Sequence, residues 1–327
     1  MKAFVFEKGN VRLKEMPDPV AGDGEVVVSL QTAGLNRRDL AIPNRLGADQ
    51  AAIILGSDGA GVIESVGKDV STVKKGDEVI VNPSLRWEKN TDAPPAGFDI
   101  LGMPDHGTLA EKIVISAEQV EKKPEYLTWE EAGGFALAAL TGYRALFTKG
   151  QLMKGQTLFI PGAGSGVATY LLLFAKAAGA RVIVTSRSEE KRVKAKALGA
   201  DRVLETSSDW GEQLENETID LVIDSVGRAT FNRSLAILKK GGRMVVFGAT
   251  TEDTVDFNLR EFFYGQYQLL GSTMGSKEEL QEMMAFVEKN ELQPVIDQSF
   301  FIDETQAAMD YLDAGNQFGN VIIRMRE

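Results

Sequence analysis

The chain reads as an α/β protein in two parts. One is a discontinuous β-rich domain over residues 1–123 and 274–327, and the other a doubly wound domain with a parallel sheet over 124–273. Three observations predict this. The length of 327 residues is about twice that of a common single domain. Short apolar runs broken by glycine fill the first third. From Gln156 onward, strand-like and helix-like runs alternate, the order that builds a parallel sheet.

In chain order, strands are expected at Ala3–Phe6, Glu25–Leu30, Gly61–Ser65, Asp77–Val81 and Leu109–Ile115, separated by turn signals such as Gly22-Asp23-Gly24 and Lys75-Gly76-Asp77. Thr91–Phe98, with Pro94-Pro95-Ala96-Gly97, is expected as a long loop. The middle then alternates between strands at Gln156–Ile160, Arg181–Thr185, Arg202–Leu204, Asp220–Asp224, Arg243–Phe247 and Tyr267–Gly271 and helices at Val167–Ala178, Glu189–Leu198 and Phe231–Leu238. The tail offers a helix at Lys277–Glu288, a run at Gln298–Ile302, a helix at Glu304–Leu312 and a strand at Val321–Met325. It is too short to hold a core of its own, so it is expected to pack back on the first domain.

Composition removes several function classes. A formal charge of −11 argues against a nucleic-acid backbone or an anionic membrane as main partner, because both need concentrated positive charge. With no cysteine there is no disulfide framework, cysteine zinc site or thiol nucleophile. The lone histidine, His106, in a Pro-Asp-His-Gly loop, cannot by itself build a histidine-rich metal site and is expected to be solvated. The expectation is a metal-free mechanism on a small-molecule substrate in the cytoplasm, since no signal peptide and no run of about 18 apolar residues is present.

The strongest local signal is the stretch Pro161-Gly162-Ala163-Gly164-Ser165-Gly166-Val167, set where a strand turns into a helix. Missing side chains there let backbone N–H groups approach a pyrophosphate, and the helix N-terminus favours its charge. The strict Gly-x-Gly-x-x-Gly spacing fails, so position in the strand-turn-helix unit carries the reading. At the end of the next strand, where an NAD-specific protein places Asp or Glu, the chain has Thr185-Ser186-Arg187-Ser188. Ser186 can donate to a 2′-phosphate and Arg187 can add a charge-assisted contact, with Lys191 and Arg192 nearby, which predicts NADPH (NADP+) as cofactor. Against it, Glu189 and Glu190 weaken phosphate binding, and Ser188 reads equally as a helix cap.

Further stretches span nearly the whole chain: Ala33-Gly34-Leu35-Asn36-Arg37-Arg38-Asp39, Gly56-Ser57-Asp58-Gly59-Ala60-Gly61-Val62, Leu140-Thr141-Gly142-Tyr143, Asp224-Ser225-Val226-Gly227 and Gly271-Ser272-Thr273-Met274-Gly275-Ser276. With them the sequence resembles the medium-chain dehydrogenase/reductase superfamily. The resemblance implies a GroES-like β domain closed by the C-terminal tail and a Rossmann domain, with NAD(P) bound in the cleft between them. Zinc-dependent alcohol dehydrogenases have Cys at the place of Asn36, His-Glu at Ser57-Asp58 and a further ligand near Leu137. Their structural zinc lobe falls around Pro83–Asp105. Both ligand sets are missing, so the chain is more similar to quinone oxidoreductases and alkenal or enoyl reductases, and to bacterial proteins called zinc-type alcohol dehydrogenase-like. The tyrosine that many quinone reductases carry after the position of Asp39 is absent from Leu40–Gly47.

The chemistry expected from this resemblance is NADPH-dependent hydride transfer to a quinone or an α,β-unsaturated carbonyl, acceptors whose conjugation spreads the incoming charge without a Lewis acid. Asn36 is expected to donate near the substrate oxygen or the nicotinamide ribose, and Arg38 to supply positive potential or else to form a surface salt bridge. Asp39 and Asp58 are read as structural acceptors for backbone donors. Thr141 and Phe247-Gly248-Ala249 are placed at the nicotinamide side, and Phe262, Phe263 and Tyr264 either wall the pocket or sit in the core. The strand Tyr267–Gly271 is expected to pair across a two-fold axis, giving a homodimer. Rival readings are an alcohol/aldehyde dehydrogenase, a non-enzymatic NADPH- or RNA-binding protein and a methyltransferase.

Overall fold

The computed structural model describes residues 1–47 and 51–326; the remaining four positions, all within the expected β domain, lie outside the described residues. The chain divides into two compact units, Met1–Ala138 with the C-terminal segment from Gly275, and Ala139–Met274.

The first unit is organised around a seven-stranded sheet. Its central strand, Glu25–Leu35, pairs antiparallel with Asp58–Val66, with Lys112–Ser116 and, from the tail, with Asn320–Arg324. Ile296–Phe301 adds a parallel edge to that tail strand. A separate three-stranded antiparallel sheet holds Lys2–Glu7 between Asn10–Glu15 and Ile53–Ile54. Phe4, Val28, Leu30, Ile63, Leu109 and Ile323 are buried in one core, so the tail strand contributes to the same apolar interior as the N-terminal strands. Among the elements that went unanticipated are the strands Asn10–Glu15 and Ile53–Ile54 and the helix Arg37–Arg45, which carries Pro43 inside it.

The boundary differs from the expected one. Residues 124–138 belong to the first unit, because the helix Trp129–Gly133 packs on the strands Glu25–Leu35 and Asp58–Val66. Thr32 Oγ1 donates to the Trp129 carbonyl at 2.5 Å, and Lys123 Nζ to the Leu127 carbonyl at 2.8 Å. The tail likewise starts at Gly275, one residue later than expected.

The second unit is a six-stranded, fully parallel sheet: β1 (Thr157–Ile160), β2 (Arg181–Ser186), β3 (Arg202–Glu205), β4 (Ile219–Asp224), β5 (Leu238–Val246) and β6 (Gln268–Gly271). Their spatial order is β3-β2-β1-β4-β5-β6. The order reverses between β1 and β4, and ligands of such sheets bind at the carboxyl ends of the strands flanking that point. The connecting helices are α1 (Gly166–Ala177), α2 (Glu189–Ala197) and α3 (Arg228–Ala236), with α4 (Leu259–Gly265) before the edge strand β6. Phe159, Ile183, Val222 and Met244 fill the sheet's interior with Trp210 and Phe231. Among the described residues no helix is long and apolar enough to cross a membrane.

Candidate functional site

The glycine turn links β1 to α1, and two of its residues need to be glycine. Gly162 has φ +83°, and a Cβ there would lie 3.1 Å from Val226 Cγ2; Gly164 has φ +119°. The turn is tied to the end of β2: the Gly162 N–H donates to Thr185 Oγ1 at 3.2 Å and the Ala163 N–H to the Thr185 carbonyl at 2.6 Å. Ser165 is the N-cap of α1, its Oγ accepting from the Ala168 N–H at 3.1 Å. The first two turn amides are thus spent on the scaffold. The next ones, Gly164, Ser165, Gly166 and Val167, open the helix, where N–H groups lack helical partners and the dipole favours an anion.

The same tie brings the end of β2 beside the turn. Ser186 is buried; its Oγ accepts from the Ser188 N–H at 3.2 Å and keeps its proton for another acceptor. Arg187 is exposed and Lys191 half-buried, while Arg192 folds back to donate to the Ser186 carbonyl at 2.9 Å. No carboxylate occupies this strand end; Glu189 and Glu190 stand in the first turn of α2, and Glu190 pairs with Lys194 at 2.7 Å.

The loops after β4 and β5 are joined to each other. The N–H groups of Phe247, Thr250 and Thr251 donate to the carbonyls of Asp224, Ser225 and Val226 at 3.3, 3.2 and 2.9 Å, which sets Phe247-Gly248-Ala249 against the Ser225–Gly227 turn. Asp224, which sequence reasoning gave no role, organises this corner. The buried carboxylate accepts from the N–H groups of Val226 and Gly227 and from the hydroxyls of Thr230 and Ser234, all within 3.3 Å. The signal was an Asp followed by Gly at the start of a helix and a hydroxyl one turn later. Thr141 is buried, its Oγ1 donating to Met274 Sδ at 3.6 Å.

Within the first unit, Asn36 caps the helix Arg37–Arg45. Its backbone N–H donates to Asp39 Oδ2 and its Nδ2 to Asp58 Oδ2, each at 2.8 Å. Asp58 Oδ1 accepts from the Leu137 N–H at 2.6 Å. Both acids are fully buried. Burial pushes the Asp58 carboxyl up to about 7, further raised by neighbouring Asp39 and pulled down by its bonds to Asn36 and Leu137. Burial likewise lifts Asp39 to about 6, against the pull of the Arg38 guanidinium and the Asn36 N–H. Arg38 is half-buried and donates to Ser57 Oγ, to the Leu101 carbonyl at 2.7 Å and to the Ile100 carbonyl at 3.4 Å. Ser57 Oγ in turn donates to the same Leu101 carbonyl at 2.7 Å. Asp39 and Asp58 do accept from backbone N–H groups, but Asp58 also reaches the side chain of Asn36.

His106 is exposed, and its Nδ1 accepts from the Ile54 N–H at 3.1 Å, so the ring also secures a strand. Phe262 is half-buried, its ring tilted against those of Phe257 and Tyr267, while Phe263 and Tyr264 are 51% and 65% exposed, so neither of these two lies in the core. In the segment Pro83–Asp105, Arg86 donates to the Gly97 carbonyl and pairs with Asp99 and Asp105, and Trp87 is buried with its carbonyl accepting from the Lys277 N–H. Among the described residues no three His, Asp or Glu are grouped to hold a metal ion.

Residues 22–125 match the family model of the alcohol dehydrogenase GroES-like domain, and residues 166–289 that of the zinc-binding dehydrogenases. The chain is 33% identical to a zinc-type alcohol dehydrogenase-like protein of Schizosaccharomyces pombe, over 92% of this chain and 91% of that one. It is 29% identical to an acryloyl-coenzyme A reductase of Sulfurisphaera tokodaii, over 99% of this chain and all of that one. The crystal structure of an NAD-dependent alcohol dehydrogenase superposes over the full length of both chains with a TM-score of 0.93 at 32% identity. By sequence and fold together, the chain belongs to the medium-chain dehydrogenase/reductase superfamily.

Proposed function

We propose that the protein is an NADPH-dependent reductase of α,β-unsaturated carbonyl compounds, enoyl thioesters first among them, that works without a metal ion. The observation that carries the reading is the polarity around Asn36. The Asn36 amide there has a second N–H besides the one given to Asp58, the Arg38 guanidinium adds positive charge, and both oxygens of buried Asp58 are already engaged. Such a group of donors suits an oxygen that gains charge through conjugation. It does not suit zinc: Asn36 Nδ2 is a donor, both oxygens of Asp58 are taken, and Ser57 Oγ is occupied by Arg38 and Leu101. The likeness to an acryloyl-coenzyme A reductase supports the substrate class.

NADPH, when bound, supplies the hydride. The amides of Gly164–Val167 and the N-terminus of α1 hold its pyrophosphate, Ser186 and Arg187 its 2′-phosphate, with Lys191 adding positive potential. The joined loops at Ser225–Gly227 and Phe247–Ala249, with Thr141, form the nicotinamide side. Asn36 donates to the acceptor's carbonyl oxygen as that oxygen becomes an enolate, and the α-carbon takes its proton from solvent. Arg38 keeps Ser57 and the Leu101 carbonyl in place and adds positive potential. The edge strand β6, with Leu269 41% exposed, is the surface on which two chains pair as a homodimer.

The test is steady-state oxidation of NADPH and of NADH with acryloyl-CoA, crotonyl-CoA, an alkenal, 1,4-benzoquinone and a simple aldehyde, with and without EDTA. Turnover of the enoyl thioesters with NADPH, unchanged by EDTA, is the expected result. Turnover of the aldehyde alone, lost on chelation and restored by Zn2+, overturns the reading.

A further inference from the structure

Asn36 is half-buried, yet two fully buried acids hold it from different directions. Asp39 takes its backbone N–H and Asp58 its side-chain Nδ2. The hold on the side chain is specific in polarity. Both oxygens of Asp58 act as acceptors, one from Asn36 and one from the Leu137 N–H, so the nitrogen of the amide, and not its oxygen, faces Asp58. The second oxygen of Asp58 is fixed by the Leu137 N–H at 2.6 Å, which keeps the carboxylate from turning away. Arg38 does not compete for it, because its guanidinium is committed to Ser57 and to the Leu101 carbonyl. A buried carboxylate is expensive unless its bonds are needed, and an apolar or neutral residue would complete the strand Asp58–Val66 at less cost.

We propose that Asp58 is a positioning residue, acting through Asn36 by selecting the orientation of its amide so that the second Nδ2 proton is presented to the acceptor's carbonyl oxygen. The inference rests on the role given to Asn36 above. Asp58 does not touch the substrate; it decides which end of Asn36 does. With asparagine in its place, whose oxygen stays on the Leu137 N–H, the atom turned to Asn36 is a donor, so the Asn36 amide is no longer held by its nitrogen.

The experiment compares wild type, N36A, D58N, N36A/D58N and the exchange variant N36D/D58N at pH 8, with kcat and KM for the best acceptor, NADPH affinity and thermal unfolding measured for each. D58N keeps an oxygen for the Leu137 N–H. It is expected to lower kcat by roughly tenfold or more, the scale of losing an outer-shell orienting group, with NADPH affinity unchanged. N36A is expected to cost about 100-fold, the scale of losing one oxyanion donor, and the double variant no more than N36A alone. The exchange variant re-forms the hydrogen bond with reversed polarity, so it is expected to regain thermal stability over D58N without regaining kcat. Effects of N36A and D58N that add, or recovery of kcat together with stability in the exchange variant, overturn the proposal. If D58N fails to fold, the exchange variant compared with N36A decides alone: a kcat above that of N36A overturns it. Should the wild type reduce none of the acceptors, the reading of the function falls, while coupling of Asn36 and Asp58 in the thermal data still reports on the contact itself.

Discussion

The two units carry candidate groups built from different materials. In the second unit the groups proposed to bind are backbone amides of Gly164–Val167, in a turn tied to Thr185. In the first unit they are side chains, Asn36 and Arg38, each held by buried polar partners on other strands and loops. A backbone cradle depends on conformation and is broken by any side chain that forbids it. A side-chain network depends on polarity and is broken by isosteric changes that leave the fold untouched. The expected consequences separate cleanly, because damage to the first kind of site appears in cofactor affinity and damage to the second in turnover.

The largest effect is expected from G164V. The position sits at φ +119°, where a β-branched residue costs on the order of 1–3 kcal/mol of strain and blocks the approach of an anion to the neighbouring amides. NADPH affinity, read by fluorescence titration, should fall by about 100-fold, whereas N36A should leave it within about twofold. Equal losses of affinity in both variants would break the distinction between the two units.

Next comes S186D, which tests the end of β2. A carboxylate there repels a 2′-phosphate and accepts from a ribose 2′-hydroxyl, and a lost charge-assisted contact is worth about 1.5–3 kcal/mol. The ratio of kcat/KM for NADPH over NADH should drop by about 10- to 100-fold. An unchanged ratio would mean that the phosphate is not read at Ser186. R187A tests the same point from the exposed side and should cost less, about tenfold or below, because solvent and salt screen an exposed arginine.

The contrast in materials also explains what the sequence disclosed. The glycine turn, the strand before it and the helix after it could be read directly, because φ restrictions and hydrophobic period are local properties written in adjacent residues. The Thr185-Ser186-Arg187 end of β2 was legible for the same reason. The return of the tail strand Asn320–Arg324 to the sheet followed from size alone, but its antiparallel partner Glu25–Leu35 did not. The helix Arg37–Arg45 was hidden by Pro43 within it and by its shortness and low apolar content. Most of all, the pairing of Asn36 with Asp58 joins residues 22 apart on different elements, and the docking of 124–138 depends on contacts to strands about a hundred residues earlier. Long-range polar contacts leave no periodic mark, so Asp58 read as an ordinary acceptor and Asp224 not at all.

The smallest effect is a slope in stability with pH, and it isolates the buried acid from the rest of the network. Asp58 is raised to about 7 in the folded chain, above an ordinary unfolded value near 4. Between those values the folded chain binds more protons at this group than the unfolded chain does, so the group's contribution to stability declines as pH rises from about 4 to about 7. Arg38, Asp39 and the other carboxylates are common to both chains when wild type is compared with D58N, although Asp39 also responds to the lost charge, because it repels Asp58. The difference in melting temperature, D58N minus wild type, should therefore climb by a few degrees over that interval, then level off above pH 7. A flat difference would place Asp58 in the ordinary carboxylate range. It would also mean that desolvation at the strand Asp58–Val66 is offset by the bonds to Asn36 and Leu137, making the hold on the Asn36 amide stronger than burial alone implies.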